Sequence, residues 1–410
     1  MSFYFPPFDM IGCVRTGKTA AYLSRFGHEV RVVTAREQGL PFRSLPVELP
    51  EGAVTTTEWV GPRRILDKLT TTDLSPSRNS VGLRAKLVRL LRGVAYLPDP
   101  QVGWIPYAYA AGTRLIRESR PDVILASSGP PSSLIVASLL SKRFGIPWIG
   151  DLRDLWSGNQ NYPFPRWRRP VDRQIERRVL SSAAGLVTVS EPLARNLSGF
   201  GPPVSLVLNG YDEAEYGHTQ RTRPPSTNLR IVYTGTLYPK QSPAPLFEAV
   251  SRLGALKGRV KLVFIGPPEA QVRATRHAEK IVEQIEVQSM GPRPIALAAQ
   301  VDADVLLHLL FNDPEHTGVY GAKIFEYLRA RRPVLAVGDT RNVTAQLVNE
   351  RGAGVATSDP AVIENQIRDW LRQLEQNREI PPLPQSVSAG FSREEQTRRL
   401  ETFMTQVLSR

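Results

Sequence analysis

The sequence predicts an α/β protein with two successive parallel β-sheets, each covered by helices. Short apolar runs alternate with helical segments along the chain, which is the pattern of strands joined by helical crossovers. A Pro- and Gly-rich passage over residues 209–228 separates two such runs. At 410 residues the chain is long for one domain and natural for two.

The first run contains short apolar stretches flanked by turn residues, which predict strands. They are Val30–Thr34, Val123–Ser127, Ile146–Asp151, Leu186–Ser190 and Val204–Leu208. Helical patterns lie between them, most clearly over Ser132–Phe144 and Val171–Ser182.

The second run repeats this scheme after the break. Its predicted strands are Ile231–Thr234, Lys261–Ile265, Asp304–Leu309, Pro333–Val337 and Gly354–Ala356. Residues 363–374 have amphipathic helical spacing. A final helix from Ser392 carries Leu400, Phe403, Met404 and Val407 on one side, an apolar stripe that needs a surface on which to pack.

The composition restricts the function classes. The net charge of +13 suits phosphate-bearing small molecules, an anionic membrane or nucleic acid, and does not choose among them. Cys13 is the only cysteine, which excludes a disulfide framework and a Cys-based metal site and fits a reducing cytoplasm. No apolar run approaches the ~20 residues needed to span a bilayer. Pro6, Pro7 and Asp9 break the apolar start that a signal peptide needs, so we expect a soluble or peripheral protein.

Residues 318–337 are the most informative stretch, a tight Gly-containing loop followed by a helix from about Ala322 to Ala330 and a buried strand. Free backbone N–H groups and the helix dipole at such a helix start favour a phosphate. Glu326 lies one turn into the helix and suits the two hydroxyls of a ribose, and Lys323 lies on the same face. The pattern indicates either a nucleoside diphosphate site or an ordinary helix–strand unit with a surface Glu–Lys pair.

Other predicted strands also lead into loops whose residues can bind ligands. Open parallel sheets bind ligands outside the carboxyl ends of their strands, and two such domains are expected to place a ligand in the cleft between them. The loops are Ser127–Ser133, Asp151–Trp156, Thr234–Lys240, Gly266–Pro268 and the loop before Glu326.

Residues 12–19 match the P-loop pattern G-x-x-x-x-G-K-[ST] letter for letter. That motif needs a buried strand directly before it. Here Ser2–Phe5 is short and is followed by two prolines, so we reject an NTPase P-loop. Gly12 and Arg15 are kept as candidates for a loop that contacts a phosphate.

These motifs resemble those of the retaining nucleotide-sugar glycosyltransferases of the GT-B fold, family four, over nearly the whole chain. Residues 318–337 resemble their donor-site signature, and Asn209-Gly-Tyr-Asp212 resembles their hinge. Residues 146–156 are similar to a segment of members that build bacterial surface polysaccharides. Tyr4–Pro7 with Arg15 resembles the family's first strand and its acceptor-side loop. Residues 26–34 resemble the family's second strand.

The resemblance implies two Rossmann-like domains that face each other across a cleft. The expected division is an acceptor domain over 1–208, a hinge over 209–228, a donor domain over 229–385 and a C-terminal helix over 386–410 that returns to the N-terminal domain. Family members usually need no metal, so we expect no metal or other cofactor. The expected first strand is short by several residues, which leaves open whether the first methionine is the true start.

On the donor side, the resemblance implies that cations and N–H groups stabilise the leaving diphosphate. The expected donor-binding residues are Gly235, Thr236, Lys240, Gly266, Tyr320, Gly321, Lys323 and Glu326. Two positions depart from the family: the first glutamate of its donor motif falls on Gly318, with Glu315 as a candidate substitute, and Thr236 stands where many members have an arginine.

On the acceptor side, Asp151 and Asp154 follow a predicted strand, with Arg153 between them where the family has a histidine. A carboxylate near an arginine stays ionised and can accept a proton or hold a sugar hydroxyl. These are the expected catalytic residues. Two alternatives stay open: an Asp–Arg pair that only braces the loop, and a leaving phosphate that itself takes the acceptor proton.

Residues 81–95 predict a basic amphipathic helix with Arg84, Lys86, Arg89 and Arg92 beside its apolar face. Such a helix lies either on an anionic membrane or with its apolar side against the core. Because the family often uses lipid-linked acceptors, we expect a cytoplasmic protein that is peripheral at the inner face of the plasma membrane.

The sequence therefore favours a glycosyltransferase that moves a sugar from a nucleotide diphosphate sugar to a saccharide or lipid-linked acceptor in surface polysaccharide or glycolipid synthesis. One alternative is a nucleotide-sugar 2-epimerase, which has the same architecture. Another is a non-enzymatic basic binding protein. A nucleic-acid partner is not expected, because the chain has no recognisable module for one.

Overall fold

A computed structural model describes residues 1–40, 42–61, 94–159, 162–217, 219–313 and 318–409. The chain forms two compact units. Unit 1 comprises residues 1–208 and 397–410, and unit 2 comprises residues 209–396. The predicted α/β class is confirmed, because every sheet is parallel and helices alternate with the strands.

The elements of unit 1 follow the predicted alternation of strand and helix. They are α1 Ile11–Arg25, β1 Val32–Ala35, β2 Val54–Thr57, α2 Ile105–Glu118, β3 Ile124–Ser127, α3 Ser132–Phe144, β4 Trp148–Leu152, α4 Arg169–Leu180, β5 Gly185–Thr188, α5 Glu191–Ser198 and β6 Val204–Leu206. Helix α3 has the predicted bounds, and it ends because Gly145 adopts a left-handed φ of +63° that closes its last turn.

The strands of unit 1 form two parallel sheets. Strand β1 pairs with β2, and the other sheet has the order β3-β4-β5-β6. Leu134, Trp148 and Leu186 are fully buried in the core of this unit. The sequence did not predict β2, because three of its four residues are threonines and it lacks an apolar run.

Residues 4–7, expected as a first strand, form no strand. The prolines remove backbone donors that a ladder needs. The first two residues contact both sheets through the backbone: Ser2 N donates to Val33 O at 3.1 Å, and Met1 O accepts from Ser127 N at 3.1 Å. A cavity of about 320 Å³ in unit 1 is lined by residues of both β1 and β3.

Unit 2 contains the second series of elements. They are α6 Glu213–Tyr216, β7 Leu229–Thr234, α7 Ala244–Ser251, β8 Val260–Ile265, α8 Glu269–Arg273, β9 Ile285–Gln288, α9 Arg293–Asp302, β10 Val305–Leu309, α10 Lys323–Ala330, β11 Val334–Val337, α11 Val343–Glu350, β12 Gly354–Thr357 and α12 Pro360–Asn377. The chain then enters α13 Arg393–Leu408, whose residues from Thr397 onward belong to unit 1.

The sheet of unit 2 has the order β12-β11-β10-β7-β8-β9. Its central strands are buried on both faces, as parallel strands under two helical layers must be. Strand β9 was not predicted, because Glu286 and Gln288 interrupt its apolar pattern at the sheet edge. The expected linker over 209–228 belongs to unit 2, where Arg221 and Arg223 both pair with the buried Asp304.

The apolar stripe of α13 packs within unit 1. Leu400, Phe403 and Val407 form one buried cluster with Ile149 of β4 and Val187 of β5. The predicted amphipathic helix over 81–95 lies almost entirely outside the described residues. No helix in the described ranges is long and apolar enough to cross a bilayer.

We predict that Phe403→Ala lowers the free energy of unfolding by about 3–5 kcal/mol, because it empties a buried aromatic site under the sheet. Leu408→Ala is the matched control on the same helix: Leu408 is 40% exposed, and its loss is expected to change stability by less than about 0.5 kcal/mol. Urea unfolding of both variants measures the difference. Equal stability of the two would contradict the packing of α13 on unit 1.

Candidate functional site

Strands β7 and β8 are paired up to their carboxyl ends, and the loops that follow them lie close together because each begins with a glycine. Gly235 and Gly266 have φ values of +97° and +113°, which side-chain-bearing residues rarely adopt. A Cβ added to Gly266 would lie 3.1 Å from the carbonyl oxygen of Gly235, so a larger residue would separate the two loops. The glycines thus create a surface where backbone can approach a ligand closely.

The start of α10 lies beside this surface. Lys323 is its first residue, and the Lys323 Nζ atom would be 3.1 Å from a Cβ added to Gly235. The same amine lies 4.1 Å from the centroid of the Tyr233 ring. Just before the helix, Gly321 contacts the His308 ring, which would be 2.8 Å from a Cβ at that position. The structure therefore brings Gly235, Gly266, Gly321 and Lys323 together.

Glu326 is buried on α10, with 7% of its surface exposed. Its Oε1 accepts from Arg293 Nη2 at 2.9 Å, and its Oε2 accepts from Gln300 Nε2 at 3.1 Å. The Tyr216 hydroxyl donates to the Glu326 main-chain oxygen at 3.0 Å. The carboxylate is thus held in one orientation, and its remaining lone pairs are the ones that ribose hydroxyls could use.

Arg293 joins two carboxylates, since it also donates to Glu215 at 2.8 and 2.9 Å. Burial opposes its charge, but Glu326 and Glu215 outweigh that effect and raise the pKa of the guanidinium. Arg293 is therefore permanently charged.

Burial lowers the pKa of Lys323 to about 7, and Glu326 opposes this shift. Burial and then the charge of Lys323 lower the pKa of His308 to about 3, so this histidine is neutral at physiological pH. The cluster at the strand ends thus holds one amine that can be either charged or neutral near pH 7.

The other expected donor-side residues lie nearer the surface. Lys240 adopts a left-handed φ of +68° and pairs with Asp313, with its side chain 56% exposed. Thr236 contributes its carbonyl oxygen, which accepts from the Tyr233 hydroxyl at 2.6 Å. Tyr320 packs on Phe325, with ring centroids 5.6 Å apart. Glu315 lies outside the described residues.

Gly12 and Arg15, expected in a phosphate-contacting loop, both lie in helix α1. Arg15 is buried, and its Nε and Nη2 atoms donate to the two oxygens of Asp151 at 2.9 and 2.8 Å. The guanidinium also donates to the Val207 and Leu208 carbonyls at 2.9 and 3.0 Å. Helix α1 begins without a preceding strand, which is not the geometry of a P-loop.

The three expected catalytic residues have different environments. Asp151 ends up paired with Arg15 rather than with its sequence neighbour Arg153. Arg153 is half-buried and donates to the Ser128 carbonyl at 3.4 Å, next to Gly12 at the start of α1. Asp154 is exposed. In the described structure, Asp151 acts as a brace, and Arg153 and Asp154 are the accessible members of the group.

Sequence reasoning missed the residues that surround Glu326. Arg293, Gln300 and Tyr216 come from α9 and α6, and no motif marks them. Arg293 follows Gly291-Pro292, a helix-start signal that carries no functional information. In the loop Ser127–Ser133, which was expected to bind a ligand, two serines hold neighbouring segments instead. Ser132 donates to Asp99, and Ser133 accepts from the Phe3 amide.

Residues 13–210 match the family model described as the glycosyl transferase 4-like domain. No curated protein matches the chain. Sucrose-phosphate synthase from Thermosynechococcus elongatus is similar in structure, with a TM-score of 0.61 at 13% identity over 97% of this chain and 93% of that one. HepE of Anabaena in complex with UDP-glucose has a TM-score of 0.58 at 14% identity, covering 99% of this chain and 100% of that one.

A putative UDP-N-acetylglucosamine 2-epimerase from Listeria monocytogenes is also similar. Its TM-score is 0.56 at 13% identity, covering 99% of this chain and 95% of that one. At these identities the solved structures show the shared fold alone. The family model is described by a reaction, glycosyl transfer, which a shared fold by itself does not indicate.

We predict that Asp151→Ala destabilises the protein by about 3–5 kcal/mol, because it leaves the Arg15 guanidinium buried without its carboxylate. Asp154→Ala is the control, and since Asp154 is exposed its effect is expected to stay within about 0.5 kcal/mol. Urea unfolding compares the two. A stable Asp151→Ala protein without activity would instead assign Asp151 a chemical role.

Proposed function

Because this protein is a glycosyltransferase of the GT-B fold, with a glycosyl transferase 4-like domain over residues 13–210, we propose that it uses a nucleoside diphosphate sugar as donor. The sugar passes with retention to a saccharide or lipid-linked acceptor, in the synthesis of a cell-surface polysaccharide or glycolipid. Unit 2 takes the donor, and unit 1 carries the acceptor-side residues.

The observation that carries this proposal is the convergence of Gly235, Gly266, Lys323 and Glu326 at the carboxyl ends of parallel strands. Ligands of open parallel sheets bind at this edge. The two glycines let the backbone lie close to a ligand. The Lys323 amine supplies positive charge, and the buried Glu326 carboxylate supplies an acceptor. A nucleoside diphosphate needs this combination, since it offers phosphate oxygens at one end and ribose hydroxyls at the other.

The chemistry requires stabilisation of negative charge on the departing diphosphate. We assign this to Lys323, Lys240 and backbone N–H groups near Gly235 and Gly321, without a metal. We place Tyr320 and Thr236 at the edge of the same donor surface, which is formed by Gly235 and the start of α10. HepE of Anabaena, which shares the fold, is described as a complex with UDP-glucose, which supports a donor of this class.

For the acceptor, we propose that Arg153 and Asp154 orient the incoming hydroxyl and that Asp151 keeps the strand end rigid through Arg15. We propose a cytoplasmic enzyme that is peripheral at an anionic membrane, where a lipid-linked acceptor would lie. The net charge of +13 supports attraction to such a surface.

Epimerisation of a nucleotide sugar is the second candidate, because a putative 2-epimerase has the same fold. The match of residues 13–210 to a glycosyl transferase domain favours transfer. Mass spectrometry of the products separates the two reactions. Transfer releases a nucleoside diphosphate, whereas epimerisation leaves the nucleotide sugar intact with an altered sugar.

We predict that Glu326→Ala weakens binding of the preferred nucleoside diphosphate about ten- to more than a hundredfold. Charge-assisted hydrogen bonds contribute roughly 1.5–3 kcal/mol, and this variant leaves the ribose hydroxyls without their acceptor. Glu326→Gln is expected to fall between, because the amide keeps one oxygen. Calorimetric titration with UDP, GDP and ADP gives the affinities.

The control for this experiment is Lys18→Ala in the false P-loop, which pairs with Glu48 and is expected to bind nucleotide like the wild type. Because Glu326 also holds Arg293, thermal unfolding of each variant is measured in parallel. Unchanged affinity in a folded Glu326→Ala protein would show that the donor lies elsewhere.

A further inference from the structure

The amine of Lys323 is held against aromatic and backbone surface rather than against a carboxylate. Its Nζ atom lies over the Tyr233 ring and beside Gly235, and the His308 ring lies close to the same loop. Within the ranges that the structure describes, this amine has no hydrogen-bond acceptor and no ion-pair partner. The Lys323 side chain is half-buried. A cation that is partly removed from water and lacks a hydrogen-bonded counter-charge is costly, and the cost is relieved either by loss of the proton or by arrival of an anion.

The nearest carboxylate on the same helix makes its hydrogen bonds to residues other than Lys323. Glu326 is held by Arg293 at 2.9 Å and by Gln300 at 3.1 Å. Arg293 thus takes the hydrogen-bonding position at Glu326 that the lysine could otherwise use. Glu326 acts on Lys323 through its charge alone, which opposes the lowering of the Lys323 pKa without cancelling it.

We propose that the Lys323 amine takes up a proton when a nucleoside diphosphate binds, so that donor affinity in this protein depends on pH above neutrality. This inference rests on the proposed function, since it assigns the diphosphate to the surface formed by Gly235 and the start of α10. Phosphate oxygens there would face both the amine and the positive end of the helix dipole at the start of α10.

The other groups that face the amine do not titrate in the same range. Burial holds the pKa of His308 at about 3 and raises that of Tyr327 to about 12. Burial also raises the pKa of Tyr233, and Arg293 stays charged. Lys323, with a pKa lowered to about 7, is therefore the group of this cluster whose proton count a ligand can change near neutral pH.

The sign of the effect follows from linkage. Without ligand, the folded protein holds fewer protons on Lys323 as pH rises above about 7, and a bound diphosphate restores the proton. Each complex formed at pH 8–9 thus takes up about one proton. Affinity falls by about tenfold per pH unit in that range, and by about 50-fold from pH 7 to pH 9.

The experiment is calorimetric titration of the full chain with UDP, GDP and ADP between pH 7 and pH 9. Each titration is repeated in two buffers of different ionisation enthalpy, which counts the protons taken up. The phosphates themselves have their last pKa near 6, so they do not titrate in this window. Lys323→Arg keeps a charge at every pH and is expected to bind without proton uptake. Lys323→Met is expected to bind at least tenfold more weakly at pH 7, with a flat pH profile.

The proposal is supported if the wild type takes up about one proton on binding at pH 8.5 and neither variant takes up a proton. Tight binding by the wild type without proton uptake, or the same pH profile in Lys323→Met, overturns it and leaves the donor site in place. If none of the three nucleotides binds the wild type at any pH, the proposed function fails as well.

Discussion

The buried carboxylate of Glu326 is the interaction on which the candidate donor site depends. Its two oxygens are taken by Arg293 and Gln300 of α9, and its main-chain oxygen by Tyr216 of α6. Three helices are thereby fixed relative to the end of β7. Because the hydrogen bonds of Glu326 go to Arg293 and Gln300, the amine of Lys323 makes no hydrogen bond to this carboxylate and feels it only through its charge.

Unit 1 contains a similar device in a different role. Arg15 of α1 donates to both oxygens of Asp151 at the end of β4, and also to two carbonyls that follow β6. Removal of either partner would leave a buried charge, so the pair holds the helix against two strand ends. Neighbouring residues therefore have different environments. Asp151 is paired with Arg15 inside unit 1, whereas Arg153 is half-buried and Asp154 is exposed.

Close backbone approach is the second constraint in unit 2. Gly235, Gly266 and Gly321 each lie where a Cβ would meet another group at 3.1 Å or less. Local sequence explains why these positions tolerate positive φ or tight contact, since glycine alone has neither the Cβ nor its steric restriction. Because the three glycines lack side chains, there is open space at the strand ends, and the Lys323 side chain lies beside it.

The sequence by itself determined the alternation of strand and helix, the two-unit order of the chain and the position of the loops at the strand ends. These features depend on apolar periodicity and turn residues, which act over a few positions. It did not reveal β2 and β9, because their polar residues break the apolar pattern and their pairing with β1 and β8 is made only in the folded chain. Nor could it show which groups pair.

Arg15 and Asp151 are 136 residues apart in the chain, and Arg293 and Glu326 are 33 apart. Sequence reasoning placed Arg153 beside Asp151 and left open a surface pair of Glu326 with Lys323, in both cases a cation within three residues along the chain. The tertiary structure decided otherwise, because the parallel sheets bring distant helices to one edge. The free energy of a buried charge depends on the partners that the fold places within hydrogen-bond reach, and not on those beside it in sequence.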